Sequence, residues 1–327
     1  MTLANGWTGG QYSVWRAAFG VALAVHFAGL LAGAELWGSS ALFALAAALA
    51  ACLAAGLAGR LAAAGLLSVV CVTREPPLLV VAPLLVPLLV PGQPYGSLAA
   101  CGRTDPRGDW SLPPLLFTGL WLVLAATYAY SGYGRFGAVA LAFPLLALSA
   151  RIRPYVWLAG LVVALFGLPE ISPGLLALHG ITFDPAWLAP RRDASPATLL
   201  YDGSCGLCHR AVRFVLAEDR AGCGFRYAPL GGDAFHRLVP PAARAALPDS
   251  LVLVTPDGRI FTRSAALRET GFRLGGLWRA LAAAAGVVPM GLLDRGYDWI
   301  ARMRYRMFAR PADACPVLPA DLRNRFE

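Results

Sequence analysis

Long apolar segments follow one another from Trp7 to Ala197, and single arginines separate many of them. A helix needs about 20 apolar residues to cross the hydrocarbon core of a bilayer. Only 14% of the residues in the whole chain are charged, whereas an ordinary soluble domain carries about a quarter. Because most of this shortage falls in the first half of the chain, we predict a polytopic transmembrane helical domain over residues 1–190.

The apolar segments predict six to eight membrane spans. The segments at 61–72 and 77–90 are short for a full span and flank the polar residues 73–75, so the two together can form one tight hairpin. Pro83, Pro87 and Pro91 should kink the segment at 77–90 or end it. The segments cover residues 14–37, 40–59, 61–72, 77–90, 112–133, 137–150, 154–167 and 171–188.

The arginines in the short loops indicate an orientation, since cytoplasmic loops carry an excess of positive residues. If the N-terminus is inside and the spans alternate, only Arg74 and Arg135 lie outside. We therefore expect a multi-pass protein of the cell membrane with a cytoplasmic C-terminal domain. The arginines that fall inside are Arg60, Arg103, Arg107, Arg151, Arg153, Arg191 and Arg192.

Polar residues within a span are costly and often functional. His26 lies midway along the first span, where it can be a ligand, part of a proton relay or the donor of an interhelical hydrogen bond, which we favour. Cys52 and Cys71 lie in apolar surroundings and should pack as small hydrophobic residues. Cys101 has no cysteine near it in the sequence, so we expect no transmembrane thiol relay.

Three features of this half resemble the HTTM family, whose membrane domain is shared with vitamin K-dependent carboxylases. They are Arg16 at the start of the first span, the segment PLLVPLLVPGQPYGSL at 83–98 and the segment TYAYSGYGRF at 127–136. The resemblance implies a shared membrane fold. Carboxylation in that family depends on a lysine base, and all 28 basic residues of this chain are arginine. We therefore do not expect carboxylase activity.

The chain changes character after a proline-rich linker at residues 184–196, and residues 198–327 read as a soluble domain. The pattern predicts a strand at 198–201, a helix at 205–218, a strand at 225–230, a short helix at 233–238 and a hairpin of 250–255 with 259–262. Ser264 should then cap a helix that begins at Ala265. This order predicts an α/β thioredoxin-like domain with extra C-terminal helices.

The pair Cys205 and Cys208 has the spacing of a redox dithiol. Cys205 falls at a helix start, where unpaired backbone N–H groups and the helix dipole favour an anion such as a thiolate. The turn before the helix should expose Cys205. Cys208 lies on the same helical face and can resolve a mixed disulfide formed at Cys205. The prediction is dithiol–disulfide exchange with no cofactor besides a redox-active disulfide of the two cysteines.

Structural zinc is the alternative use of this spacing, because zinc binds cysteine pairs. Such a site needs two more ligands, but His209 should point away from the pair. Cys223 and Cys315 have no partner cysteine nearby in the sequence. We therefore expect no bound metal, and a zinc-stabilised module stays open as an alternative.

Other residues near the pair have two possible roles. Asp202 can accept a proton from Cys208 or can simply bond backbone N–H groups of the turn. Pro248 is the candidate for the proline that thioredoxins place beside the pair. Cys315 can be a third redox thiol or a cysteine without a role, and Cys223 should be inert. Arg302, Arg304 and Arg306 can hold an anionic partner or, as we favour, form a membrane-facing helix side.

Two motifs of this half resemble the DCC family of thiol-disulfide oxidoreductases. YDGSCGLCHRAVRF at 201–214 supplies the Asp-Cys-Cys signature, and GYDWIARMRYRMFARPADAC at 296–315 resembles the closing helix with its late cysteine. The resemblance implies thiol-disulfide oxidoreductase activity with Asp202, Cys205 and Cys208 as the site residues.

The whole sequence predicts a membrane-anchored thiol–disulfide oxidoreductase, and a cytoplasmic domain would act as a reductase. Its partners would be protein or small-molecule thiols and disulfides, and its net charge of +9 favours contact with anionic lipid headgroups. No nucleic-acid motif is present. The alternative is a transporter or lipid-modifying protein with the Cys205/Cys208 domain as a redox sensor. The sequence leaves the substrate, the electron donor and the oligomeric state open.

Overall fold

The chain folds into two compact units in a computed structural model, the first ending at Trp187 and the second beginning at Leu188. Each unit has its own hydrophobic core. The structure describes residues 3–34, 37–73, 78–92, 94–100, 110–136, 142–166, 173–193, 195–307 and 320–327.

The first unit is helical throughout its regular structure. Its helices follow the apolar segments of the sequence, with ends shifted by a few residues. They are α1 (Gly9–Ala32), α2 (Trp37–Ala55), α3 (Gly59–Thr73), α4 (Val81–Leu89), α5 (Pro114–Phe136), α6 (Ala142–Ala147), α7 (Arg153–Phe166) and α8 (Pro173–Thr182).

Two helices of the described chain are long and apolar enough to cross a membrane alone, namely Gly9–Ala32 and Gly38–Ala55. The apolar stretches of α3, α5 and α7 fall short of that length. In the second unit, Gly276–Val287 and Met290–Met303 reach it only if they are taken as one broken span with a bend of 116°. The number of six to eight spans therefore stays a prediction, as does the resemblance of this unit to the HTTM family.

Helix α1 packs against both α2 and α8, and most extensively against α2. The α1–α2 contact depends on Gly20, where an added Cβ would come within 2.5 Å of the backbone nitrogen of Ala54. Among the residues that the structure describes, the Nε2 of His26 has no hydrogen-bond partner, so the expected interhelical hydrogen bond is not seen, and the ring stands edge-on to Phe27 at 5.5 Å.

The second unit is built on a four-stranded mixed sheet in the order β2-β1-β3-β4. β1 pairs in parallel with β2 and antiparallel with β3, which pairs antiparallel with β4. The strands are β1 (Ala197–Tyr201), β2 (Phe225–Pro229), β3 (Val252–Val254) and β4 (Ile260–Thr262). The helices are α9 (Gly206–Glu218), α10 (Asp233–Leu238), α11 (Pro241–Arg244), α12 (Arg263–Leu274), α13 (Gly276–Ala284), α14 (Met290–Met307) and α15 (Ala320–Arg323).

The sheet has a core on each face because strand side chains alternate in direction. Leu199 and Leu253 contribute to the core that holds α9, while Leu200 and Val252 contribute to the core that holds α10. The connection from β1 through α9 to the parallel strand β2 therefore places the start of α9 at the carboxyl end of β1.

Helix α12 begins two residues earlier than the sequence predicts, at Arg263. Ser264 does not cap it, because its hydroxyl and its backbone N–H both donate to Oδ1 of Asp294 on α14. A carboxylate from a distant helix thus satisfies a donor of the first turn, a role that the sequence assigns to Ser264 itself.

Candidate active site

The turn between β1 and α9 is held by Asp202. Its Oδ1 accepts hydrogen bonds from the backbone nitrogen of Ser204 at 2.8 Å and from the Ser204 hydroxyl at 2.7 Å. The backbone carbonyl of Asp202 accepts from the nitrogen of Cys205 at 3.2 Å. The three hydrogen bonds fix the direction in which the chain enters α9, which is the turn role considered for Asp202.

Cys205 is the N-cap residue of α9. Its backbone is extended, with φ of −101° and ψ of 115°, and its Sγ accepts a hydrogen bond from the backbone nitrogen of Cys208 at 3.4 Å. The sulfur thus meets one of the N–H groups that a helix start leaves without a partner in the helix.

Cys205 is buried, contrary to the expectation that the turn exposes it. The residue is 1% exposed and Cys208 is 8% exposed, and both belong to the core cluster that also contains Leu199 and Val212. The physical reason is tertiary packing, because the apolar side chains of that cluster exclude solvent from the first turn of α9. Reaction at Cys205 with a large partner therefore requires local opening of the turn.

His209 supports the turn from the helix, a role that sequence reasoning missed. Its Nε2 lies 2.8 Å from the carbonyl oxygen of Gly203, and its ring stands edge-on to Tyr201 at 5.7 Å. The side chain is buried, in agreement with these contacts. The ring nitrogen donates to the carbonyl, so His209 fixes the loop rather than facing a metal. The only sequence signal was its place directly after Cys208.

The last residues of the chain form a second support behind the site. Residues 325–327 run alongside β2, where the nitrogen of Tyr227 donates to the carbonyl of Arg325 at 2.9 Å and the nitrogen of Glu327 donates to the carbonyl of Tyr227 at 2.9 Å. Phe326 stacks on the ring of Tyr227 at 5.1 Å. The segment covers the edge of the sheet, which would otherwise leave unpaired backbone groups.

Arg325 ties this segment to the end of α9. Its Nη2 donates to Oδ2 of Asp219, the C-cap residue of α9, at 2.5 Å and to the hydroxyl of Tyr227 at 3.3 Å. Both charged side chains are buried, at 5% and 9% exposure. Burial raises the pKa of the Tyr227 hydroxyl, and the Arg325 charge opposes that shift.

The remaining candidates differ in their surroundings, and some of them lie outside the described residues. Cys223 is exposed, and Arg302 donates to the carbonyl of Asp298 on its own helix at 3.1 Å. Pro248 is half-buried in the segment before β3. Cys101, Cys315 and the side chains of Arg304 and Arg306 lie outside what the structure describes. Within the described residues, no three histidine, cysteine or acidic side chains come together as metal ligands.

An apolar cavity of about 290 Å³ opens beside the core of the pair. Its walls include Leu199, Val215 and Leu251, which belong to the same cluster as the two cysteines, and Trp278. Trp278 donates from Nε1 to the carboxylate of Glu218 at 2.6 Å and stands edge-on to Phe214. The cavity lies between α9, α12 and α13, so an apolar group bound there would contact the helix that carries Cys208 and is capped by Cys205.

The comparisons with known proteins concern this second unit. A family model described as DCC1-like thiol-disulfide oxidoreductase matches residues 199–310. Uncharacterized protein YuxK of Bacillus subtilis (strain 168) is 31% identical over 132 residues, which are 39% of this chain and 91% of that protein. DCC family protein At1g52590, chloroplastic, of Arabidopsis thaliana is 30% identical over 119 residues, which are 36% of this chain and 68% of that protein. No solved structure matches. The chain therefore belongs to the DCC family of DCC1-like thiol-disulfide oxidoreductases.

Proposed function

We propose that this protein is a membrane-anchored thiol–disulfide oxidoreductase in which Cys205 is the attacking cysteine and Cys208 the resolving cysteine. The hydrogen bond from the Cys208 backbone nitrogen to the Cys205 sulfur carries the proposal, because it places a sulfur at the start of α9 with a second cysteine one turn along. Family membership supports thiol–disulfide chemistry in this domain.

The proposed reaction moves two electrons in two steps. The Cys205 thiolate attacks a disulfide of the partner, which forms a mixed disulfide and releases one partner thiolate. The Cys208 thiol then loses its proton and attacks the Cys205 sulfur, which releases the second partner thiol and leaves an oxidised Cys205–Cys208 pair. A dithiol reductant of the cytoplasm would restore the two thiols, and no other cofactor or metal takes part.

Asp202 enters this proposal as a positioning residue. Its carboxylate already accepts two hydrogen bonds from Ser204, which supports the turn role over that of proton acceptor for Cys208. His209 has the same kind of role through Gly203. Both residues would hold Cys205 at the helix start without contacting the partner.

The membrane anchor is supported by the two helices of spanning length in the first unit. A face of α14 supports contact with the lipid surface as well, because Leu292, Trp299 and Ile300 are each at least half exposed. Asp298 pairs with Arg263 at 3.1 Å, whereas Arg295 is exposed. Apolar and aromatic side chains flanked by arginine are typical of helices that lie in a membrane interface. A cytoplasmic position of the second unit belongs to the same proposal.

The test uses the full chain purified in detergent, with Cys205→Ser, Cys208→Ser and the matched control Cys223→Ser. Each variant is mixed with an oxidised dithiol peptide, and the products are separated by non-reducing mass spectrometry. We expect Cys205→Ser to form no mixed disulfide, Cys208→Ser to accumulate it, and Cys223→Ser to react as the unaltered chain does.

Two results would contradict the proposal. Exchange that persists in Cys205→Ser at the original rate would remove Cys205 from the reaction. Stoichiometric zinc in the purified chain that is lost in both Cys205→Ser and Cys208→Ser would favour the zinc-stabilised module instead.

A further inference from the structure

The first unit contains a half-open cavity of about 370 Å³ with two arginines in its wall. It lies where α2 ends and α3 begins, and it also takes in part of α1 and the end of α4. The side chains that matter for its chemistry are Tyr12, Arg16, Arg60 and Ser97. The redox chemistry of the second unit does not use this cavity, so the inference does not depend on the proposed function.

Arg16 is buried in the wall of the cavity, and the missing side chain of Gly56 leaves room for its guanidinium group. Its Nη1 donates to the carbonyls of Leu53 and Ala54 at the end of α2, where a helix favours a cation. Gly56 has φ of +72°, and a Cβ there would come within 2.5 Å of Nη1. Within the described part of the chain, the Nε of Arg16 is buried and has no hydrogen-bond partner. Capping of α2 therefore leaves part of the guanidinium unsatisfied.

Tyr12 presents a second unsatisfied polar group in the same wall. The side chain is 1% exposed, and its hydroxyl has no hydrogen-bond partner among the residues that the structure describes. Buried polar groups are nearly always paired with protein, water or a ligand. An unpaired hydroxyl one helical turn from an incompletely paired guanidinium indicates a position for a hydrogen-bond acceptor.

Arg60 adds a second positive charge at the mouth of the cavity. It lies in the first turn of α3 and donates from Nη2 to the carbonyl of Val90 at 3.0 Å. Neither Arg16 nor Arg60 forms an ion pair in the part of the chain that the structure describes. Two cations and the N-terminal end of a 15-residue helix at one cavity attract an anion.

The rim of the cavity is apolar on one side. Leu61 lines the cavity and is largely exposed, and Leu57 beside it is also exposed. Pro87 and Val90 complete the apolar part of the wall. A ligand with a charged head and an apolar tail would satisfy both sides of the site.

We propose that this cavity binds a phosphate oxyanion, carried either by the headgroup of an anionic phospholipid or by a soluble phosphate ester. Arg16 and Arg60 would hold the oxyanion, and the Tyr12 hydroxyl would donate to it. Arginine suits this task because its planar group donates several hydrogen bonds to phosphate. With a phospholipid, the acyl chains would run along Leu57 and Leu61.

The test uses the full chain in dodecyl maltoside and measures lipid binding by native mass spectrometry. Dioleoyl phosphatidylglycerol is compared with dioleoyl phosphatidylcholine, and glycerol 3-phosphate is added as a competitor. Arg60→Gln is the main variant, because Arg60 is exposed and its loss leaves the core intact. Arg151→Gln is the matched control, since Arg151 is an exposed arginine of the same unit outside the cavity. Gly56→Ala is a second variant that crowds Arg16.

We expect phosphatidylglycerol to bind at least about tenfold tighter than phosphatidylcholine, which corresponds to one charge-assisted hydrogen bond. Arg60→Gln and Gly56→Ala should each weaken it by about tenfold, and Arg151→Gln should leave it unchanged. If glycerol 3-phosphate displaces the lipid or binds alone in an Arg60-dependent way, the oxyanion comes from a soluble ester. Equal binding of the two lipids with no glycerol 3-phosphate binding, or equal losses in Arg60→Gln and Arg151→Gln, would overturn the proposal.

Discussion

The ion pair of Arg325 and Asp219 gives the sharpest test of how the second unit is held together. Arg325→Ala removes a charge that is buried together with its partner and leaves the Asp219 carboxylate in the interior. Breaking a buried pair in this way costs about 3–5 kcal/mol. Asp219 keeps a hydrogen bond from the nitrogen of Gly224 at 3.0 Å, so we expect the low end, a loss of about 3 kcal/mol in the free energy of unfolding.

A second ion pair, which also holds the segment 325–327, gives a matched control. Arg237 pairs with Glu327 at the surface, with side-chain exposures of 62% and 35%. An exposed pair contributes only about 0–1 kcal/mol. Arg237→Ala should therefore change the stability far less than Arg325→Ala, although both variants remove one arginine that holds the end of the chain.

The assay is pulse proteolysis of the full chain across a urea series, with the fraction of intact second unit followed on gels. The double variant Asp219→Ala/Arg325→Ala should lose less stability than Asp219→Ala and Arg325→Ala lose together as single variants, because no unpaired buried charge remains. The reasoning is refuted if Arg325→Ala and Arg237→Ala unfold at the same urea concentration, or if the double variant shows no coupling.

The remaining predictions concern the turn at the pair and the pH dependence. Asp202→Asn, which keeps an acceptor for Ser204, should retain exchange within about threefold at pH 7, whereas resolution of the mixed disulfide slowed by about 10²-fold would show that Asp202 accepts a proton. His209→Phe, which loses the hydrogen bond to Gly203, should cost about 1 kcal/mol and speed amide hydrogen exchange in residues 202–206, and unchanged exchange there would contradict the support role. The pKa of Tyr227 is raised in the folded state, so the second unit should lose stability as the pH rises above about 10, where only the unfolded tyrosine ionises. Tyr227→Phe should remove that part of the pH dependence, as urea unfolding at pH 7 and pH 11 would show.

The local elements of the second unit could be predicted because each one has its own signal. The short, mostly apolar run around Leu199 and the turn at Pro256-Asp257-Gly258 predict β1 and the β3–β4 hairpin. The glycine has φ of +81°, a conformation that glycine adopts without strain. These signals depend only on residues that are adjacent in the sequence, so they can be read without knowledge of the tertiary contacts.

The supports of the site could not be predicted, because they join residues that are distant in sequence. Asp294 replaces Ser264 as the cap of α12 across 30 residues. Arg325 reaches Asp219 across 106 residues. The residues next to Arg325 in the sequence do not indicate which distant residue it contacts, and nothing in the sequence distinguishes it from the other arginines among the 28 basic residues.

The sequence by itself determined the spacing of Cys205 and Cys208, the turn and helix that hold them and the apolar character of the first half, since these follow from residue order and local chemistry. The tertiary structure alone decided that Cys205 is buried, that His209 holds the turn and that Arg16 lies in the wall of a cavity. Burial and long-range hydrogen bonds arise only when separate segments pack together, because solvent is excluded by the whole fold and not by any one element.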